Sequence, residues 1–299
     1  MKVTKPARSW LIDFSILALI WGASFLFIAV AGKTLPPIGV TFFRMAFGAL
    51  ALFVLIKLAK QRIPLTAKAL AHTFVAGLVM SAIPFTLFAY AELHVSSGLA
   101  GMVNAATPVM TVLAIMIAFR DQKPTRVQIL GLSVGILGTL VLLGVWQGFG
   151  ENDPLAIGAL ILATICYGFG GPYIRKFVSP LGLPNQVAVF LQLITATIVT
   201  LPIYLFTGPL LTGTPDWASI SSIVILGVFG TGIAYVIYYR IIDAAGSTIA
   251  SSVTIVQPVV AVVLGMLLLQ ETLNWFEVVG GLVIILGAMI AQGRVRFIR

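Results

Sequence analysis

At 299 residues, 60% hydrophobic and only 9% charged, the chain lies far from the composition of a soluble globular domain. A net charge of +9 could suit a nucleic-acid partner, but here the basic residues are spread over alternate loops between apolar runs, which points to a bilayer instead. The single cysteine, Cys166, lies inside an apolar run, so neither a disulfide framework nor a cysteine metal cluster can be built.

A bilayer core of ~30 Å takes about 20 apolar residues per helix. Ten stretches qualify: 11–31, 37–57, 70–90, 96–119, 127–146, 155–174, 186–206, 217–239, 247–269 and 276–292. Tails 1–10 and 293–299 flank them, and no segment remains for a soluble domain. Span one carries Leu19-Ile20-Trp21-Gly22. Its basic start and its Ala29-Val30-Ala31 ending imitate a secretory leader, but an apolar run of ~20 residues exceeds the usual 7–15, so it is expected to stay as a span. Span two holds Arg44, the one deep charge, about 10 Å from the outer end at ~1.5 Å per residue. It can meet a substrate carboxylate or pair with carbonyls of a neighbouring broken helix; the structural role is the expectation.

Span three brings Met80, Pro84, Phe85, Phe88 and Tyr90, with Phe85 and Phe88 on one face. Span four contains Asn104-x-x-Thr107-Pro108, and span five the glycines Gly131, Gly135 and Gly138. Span six reads Cys166-Tyr167-Gly168, and span eight carries Phe229, Tyr235, Tyr238 and Tyr239. Span nine contains Thr254-x-x-Gln257-Pro258, and span ten Gly280, Gly281 and Gly287. A proline within a helix removes one donor and leaves the carbonyl four residues earlier unpaired, here those of Asn104 and Thr254. Polar backbone at mid-depth is tolerated only when buried in protein or lining a wet cavity. The prolines and their polar neighbours therefore either line a cavity or shape helix packing. The aromatics can line the same space, pack, or, for Tyr238 and Tyr239, form an interfacial belt. Small residues every three or four positions permit close helix approach, more naturally inside the chain than between copies.

Spans three and four echo in spans eight and nine. Moving Phe88, Ser97, Pro108 and Asp121 onto Tyr238, Ser247, Pro258 and Glu271 takes one constant shift of 150 residues. Trp21-Gly22 answers Tyr167-Gly168 more weakly. The domains are thus 11–146 and 155–292, five spans each. An odd count inverts the second copy, the architecture of secondary transporters. The charges agree: Lys and Arg crowd the N-terminus, the loops after spans two, four, six and eight, and the C-terminus, whereas the alternate loops carry only Lys33. Both termini are therefore expected in the cytoplasm.

Asp13, Glu92 and Glu277, with His72 and His94, sit near span ends, and no carboxylate stands midway in spans one, three, four, six, eight or nine. That weighs against proton-for-cation exchange. It also weighs against an intramembrane hydrolase, which needs nucleophile, base or metal ligands at depth. Gly32-Lys33-Thr34 has the end of a phosphate loop, but Phe27 occupies the place of its first glycine.

Leu19-Ile20-Trp21-Gly22-Ala23-Ser24-Phe25, Phe42-Phe43-Arg44, the span ending in Pro108 and Phe119, and its copy around Pro258, Gln270 and Glu271 resemble the drug/metabolite transporter superfamily, in particular its EamA-type ten-helix exporters. Within it the chain looks most like the YddG-like amino-acid exporters. The resemblance covers about residues 11–292. It implies a central, largely apolar cavity enclosed by spans one, three, four, six, eight and nine, with five and ten outside. It also implies a retained helix-two arginine at Arg44 and a cavity-facing first helix at Trp21-Gly22. Cys166-Tyr167-Gly168 departs from the tryptophan–glycine pattern, so the two cavity halves need not be alike.

The expectation is an all-α integral membrane protein of the bacterial inner membrane, not an enzyme, that exports small neutral or zwitterionic metabolites, amino acids first, by alternating access. The alternative is a multidrug exporter of aromatic or cationic compounds, which cation–π contacts could admit. The expected substrate-binding set is Trp21, Met80, Pro84, Phe85, Phe88, Asn104, Thr107, Pro108, Tyr167, Tyr235, Thr254, Gln257 and Pro258. No metal or cofactor is called for, and the expected partners are the substrate and the lipid bilayer, with the chain acting as a monomer.

Overall fold

The computed structural model describes residues 9–119, 126–142, 153–270 and 272–291. The outer parts of both tails and the loop charges Arg120, Lys123, Glu151 and Glu271 lie outside the described residues. All regular structure there is helical. In the first half the helices are α1 (Ser9–Ala31), α2 (Pro37–Leu58), α3 (Ala67–Gly77), α4 (Ile83–Ala91), α5 (Ser97–Asn104), α6 (Thr107–Ala118) and α7 (Arg126–Leu142). In the second they are α8 (Pro154–Tyr173), α9 (Asn185–Phe206), α10 (Trp217–Gly227), α11 (Ala234–Ala245), α12 (Ser247–Ser251), α13 (Gln257–Leu268) and α14 (Trp275–Ala291).

Grouped into continuous rods, eight of these among the described residues are long and apolar enough to cross a membrane. Two shorter apolar helices, within 129–142 and 275–287, complete the ten hydrophobic units. Leu58, Phe206, Trp217, Leu267 and many other large apolar side chains face outward, a surface that only lipid can cover favourably. The chain is an all-α integral membrane protein built from two inverted repeats.

Contacts between the halves come in equivalent pairs, as a twofold relation requires. Helix α1 packs on α13 while α6 packs on α8, and α2 meets α10 while α9 meets α3. α2 and α9 also pack on each other. Two glycines allow this closeness. A Cβ on Gly48 would fall 2.9 Å from the Gly227 carbonyl oxygen, and one on Gly77 2.5 Å from that of Gln192. Both contacts are with backbone, which cannot yield.

The α7/α14 pair stands apart from this centre. Its glycines mesh: a Cβ on Gly280 would sit 2.2 Å from the Leu142 nitrogen, one on Gly138 2.6 Å from the Ile284 nitrogen, and one on Gly287 2.4 Å from the Gly135 nitrogen. The seam predicted from small-residue spacing is therefore used inside the chain.

Four rods change pitch midway. π-helical turns occupy Leu78–Ala82 between α3 and α4, and Val228–Ile233 between α10 and α11. The 150-residue shift superimposes their starts. Spans four and nine break instead: Ala105-Ala106 interrupt α5 and α6, and a 3₁₀ turn at Ser252–Ile255 precedes α13. This corrects one expectation. Pro108 and Pro258 do not sit within continuous helices but in the first turn of α6 and α13. A missing N–H costs nothing there, because that donor has no intrahelical partner anyway.

Candidate central binding site

The cavity lies where both repeats change pitch. Its walls are Trp21, Ser24, Phe25 and Ile28 of α1, Arg44 of α2, Met80, Phe85 and Phe88 of the span-three rod, Asn104 and Thr107, Tyr167 of α8, Tyr235 and Tyr238 of α11, and Ser251, Thr254 and Gln257. At about 50 Å³ it has room for a few waters and not for an amino acid.

Ten of the thirteen residues expected from sequence meet here: Trp21, Met80, Phe85, Phe88, Asn104, Thr107, Tyr167, Tyr235, Thr254 and Gln257. The three prolines, Pro84, Pro108 and Pro258, are buried but outside the lining. Several lining residues were not anticipated. Ser24, Phe25 and Ile28 stand three, four and seven positions after Trp21, on the same face of α1, and that periodicity could have found them. Ser251 lies one turn before Thr254. Tyr238, left open as packing or belt, faces the cavity beside Tyr235.

One wall is polar. Asn104 Nδ2 donates to Gln257 Oε1 at 2.6 Å, joining the two helix breaks directly. The Thr107 hydroxyl donates to the Asn104 carbonyl at 2.7 Å and lies 3.1 Å from its Oδ1. The Asn104 carbonyl is therefore not an open acceptor, as the proline argument implied. A local hydroxyl has taken it, the usual way polar side chains satisfy a broken membrane helix. The Thr254 hydroxyl likewise donates to Ser251.

The rest of the lining is largely aromatic. Ring centroids of Trp21 and Tyr238 are 5.2 Å apart, those of Trp21 and Tyr235 5.7 Å, of Phe25 and Phe88 5.8 Å, and of Phe88 and Tyr167 5.9 Å. Such edge and offset contacts hold the rings in fixed orientations.

Both π-helical turns offer their third carbonyl to a side chain outside their own rod. The Tyr235 hydroxyl donates to Met80 O, and Trp21 Nε1 donates to Gly230 O at 3.1 Å. Met80 and Gly230 are equivalents under the 150-residue shift. Arg44 joins the same turn, donating from Nε to Thr231 Oγ1 at 2.7 Å and from Nη2 to Gly230 O at 3.5 Å. Pairing with carbonyls and hydroxyls of a neighbouring distorted helix is what was expected of Arg44. Its place in the cavity wall adds to that.

The EamA-like transporter family matches the chain twice, over residues 8–144 and 154–292. The chain belongs to the EamA-like transporter family. It is 25% identical over 283 residues to the uncharacterized inner membrane transporter YedA of Escherichia coli K12, covering 94% of this chain and 90% of that protein. A probable amino-acid metabolite efflux pump of Salmonella typhimurium is 26% identical over 291 residues, covering 92% of each. A solved crystal structure shares the fold at a TM-score of 0.71, with 17% identity over 97% of this chain and 98% of its own. This EamA-like protein is a multi-pass membrane transporter, not an enzyme. The cavity walls come from the six spans that the family resemblance named, joined by Arg44 from α2. Helices α7 and α14 supply none among the described residues.

Proposed function

We propose that the protein exports small neutral or zwitterionic metabolites, amino acids first, including aromatic and other apolar ones, from the cytoplasm of a bacterium across its inner membrane. The two repeats rock about the central cavity and expose it to one side at a time. The positive-inside distribution supports cytoplasmic termini. The observation that carries the reading is the cavity's mixed lining: aromatic rings suited to an apolar side chain, together with amide and hydroxyl groups suited to a polar head group. The likeness to a probable amino-acid metabolite efflux pump supports the substrate class.

A cavity of about 50 Å³ is too small for an amino acid, so taking one up requires the repeats to separate. Among the described residues the only charged one in the lining is Arg44, and no carboxylate contributes to it. That disfavours the cationic-drug alternative, because an unpaired cation would meet the fixed guanidinium. The test is flux of labelled amino acids into and out of proteoliposomes, with and without a pH gradient. Saturable exchange of apolar amino acids supports the reading, and movement of quaternary-ammonium dyes instead would replace it with the drug-export one.

A further inference from the structure

The side chains that tie each repeat's second span to the other repeat's π-helical turn form an equivalent pair, and only one is charged. α2 and α9 are both 22 residues long, which puts Arg44 and Gln192 at the same register. Ser81 and Thr231 correspond under the 150-residue shift. Arg44 Nε donates to Thr231 Oγ1 at 2.7 Å, and Gln192 Nε2 donates to Ser81 Oγ at 3.0 Å. Gln192 is completed by the Tyr239 hydroxyl, which donates to Oε1 at 2.7 Å. A neutral amide thus makes the same cross-repeat bond. The architecture needs a donor at this register, not a charge.

What separates the two is the cavity. Gln192 is sealed in protein, whereas Arg44, 5% exposed, is part of the cavity wall. Its Nε and Nη2 are occupied by Thr231 and Gly230, one face lies 3.6 Å from the centre of the Phe85 ring, and Nη1 has no hydrogen-bond partner among the described residues. None of the described carboxylates comes within ion-pair distance of it, and Glu92 acts on it only from farther away. A guanidinium at this depth costs free energy unless an anion compensates it, and it is retained where it meets a substrate or ion path. Planar N–H donors with aromatic backing fit a carboxylate better than any neutral head group.

We infer that Arg44 Nη1 docks the carboxylate of the transported molecule, so that the carrier selects apolar molecules with a carboxylate over amides or amines of the same shape. This rests on the central cavity being the transport site. Held at Arg44, the acid places its apolar part toward the Trp21, Phe25 and Phe88 wall.

The experiment measures labelled phenylalanine exchange in proteoliposomes, competed by phenylalanine, N-acetylphenylalanine and phenylalaninamide. The two acids should compete, and the amide should be weaker by at least about tenfold, because a site built for a charged partner leaves its own group unpaired without it. Arg44→Gln, which copies Gln192 and keeps a donor for Thr231, should abolish the preference, and Arg44→Lys should keep part of it. Equal competition by acid and amide in the natural protein overturns the inference while leaving the transport reading intact. An unchanged acid-to-amide ratio in Arg44→Gln overturns it as well. Should intact protein exchange neither compound, the transport reading fails and the inference with it. The acid-to-amide ratio of the natural protein decides the matter even if Arg44→Gln does not fold.

Discussion

The α7/α14 pair and the central cavity are both places where small or polar residues meet inside the membrane, yet they are held together in opposite ways. In the pair, glycines bring backbone against backbone, and a single added methyl has nowhere to go. At the centre, contact runs through side chains: Asn104 to Gln257, Tyr235 to Met80, Trp21 to Gly230, Arg44 to Thr231. Hydrogen bonds of this kind between membrane helices average about 0.6 kcal/mol, so several can open in one cycle without threatening the fold. Meshed backbone cannot open by degrees. The pair reads as scaffold and the centre as the part that moves.

The sharpest break of that contrast is Gly280→Val. Its added atoms would fall 2.2 Å from the Leu142 nitrogen, and overpacking typically costs about 1–3 kcal/mol or more. The yield of folded, monodisperse protein in detergent should drop steeply. A central substitution should behave otherwise. Gln257→Leu leaves Asn104 Nδ2 without its partner and should cost stability only about 0.6 kcal/mol. Amino-acid exchange should fall strongly while insertion and thermal unfolding stay near normal. Unchanged exchange would remove Gln257 from the site.

A subtler change is Trp21→Phe, which keeps an aromatic ring but deletes the donor to Gly230 O. Exchange should slow by about three- to twentyfold, reflecting about 0.6–1.7 kcal/mol for one such bond. A larger loss would mean that the indole itself contacts the substrate. The smallest effect belongs to Asp216, which caps α10 outside the membrane. The Ser219 backbone N–H donates to its carboxylate at 2.7 Å and holds that carboxyl below the usual range. A lowered folded value stabilises above the unfolded one and is lost as pH falls through the folded one. Asp216→Ala should thus lower the unfolding temperature slightly at neutral pH, with the difference shrinking under acid.

Sequence and structure agree most closely where the physics is periodic. Apolar runs, the odd number of spans per repeat and the 150-residue shift define the fold, and helical spacing around Trp21, Phe85 and Tyr235 points at the faces that line the cavity. The reading failed where the outcome depended on local hydrogen bonding. Nothing in Asn104-x-x-Thr107-Pro108 says that the Thr107 hydroxyl would close on the Asn104 carbonyl, or that proline would begin a helix instead of bending one. The π-helical turns at Leu78–Ala82 and Val228–Ile233 have no proline of their own and leave no pattern in a single sequence. Arg44 was legible as deep and unusual. Its contrast with Gln192 required coordinates, because the shift between α2 and α9 differs by two residues from that of the later spans.

Whether the centre opens to both sides can be asked directly with one thiol. Ser251 is buried in the cavity wall, and the chain's only cysteine, Cys166, can be replaced by alanine. In that background, Ser251→Cys should react with a membrane-impermeant thiol reagent added to either face of oriented vesicles, and an exchanged amino acid should slow both reactions. Labelling from one face only, or labelling that no substrate protects, would contradict a central cavity that alternates between the two sides.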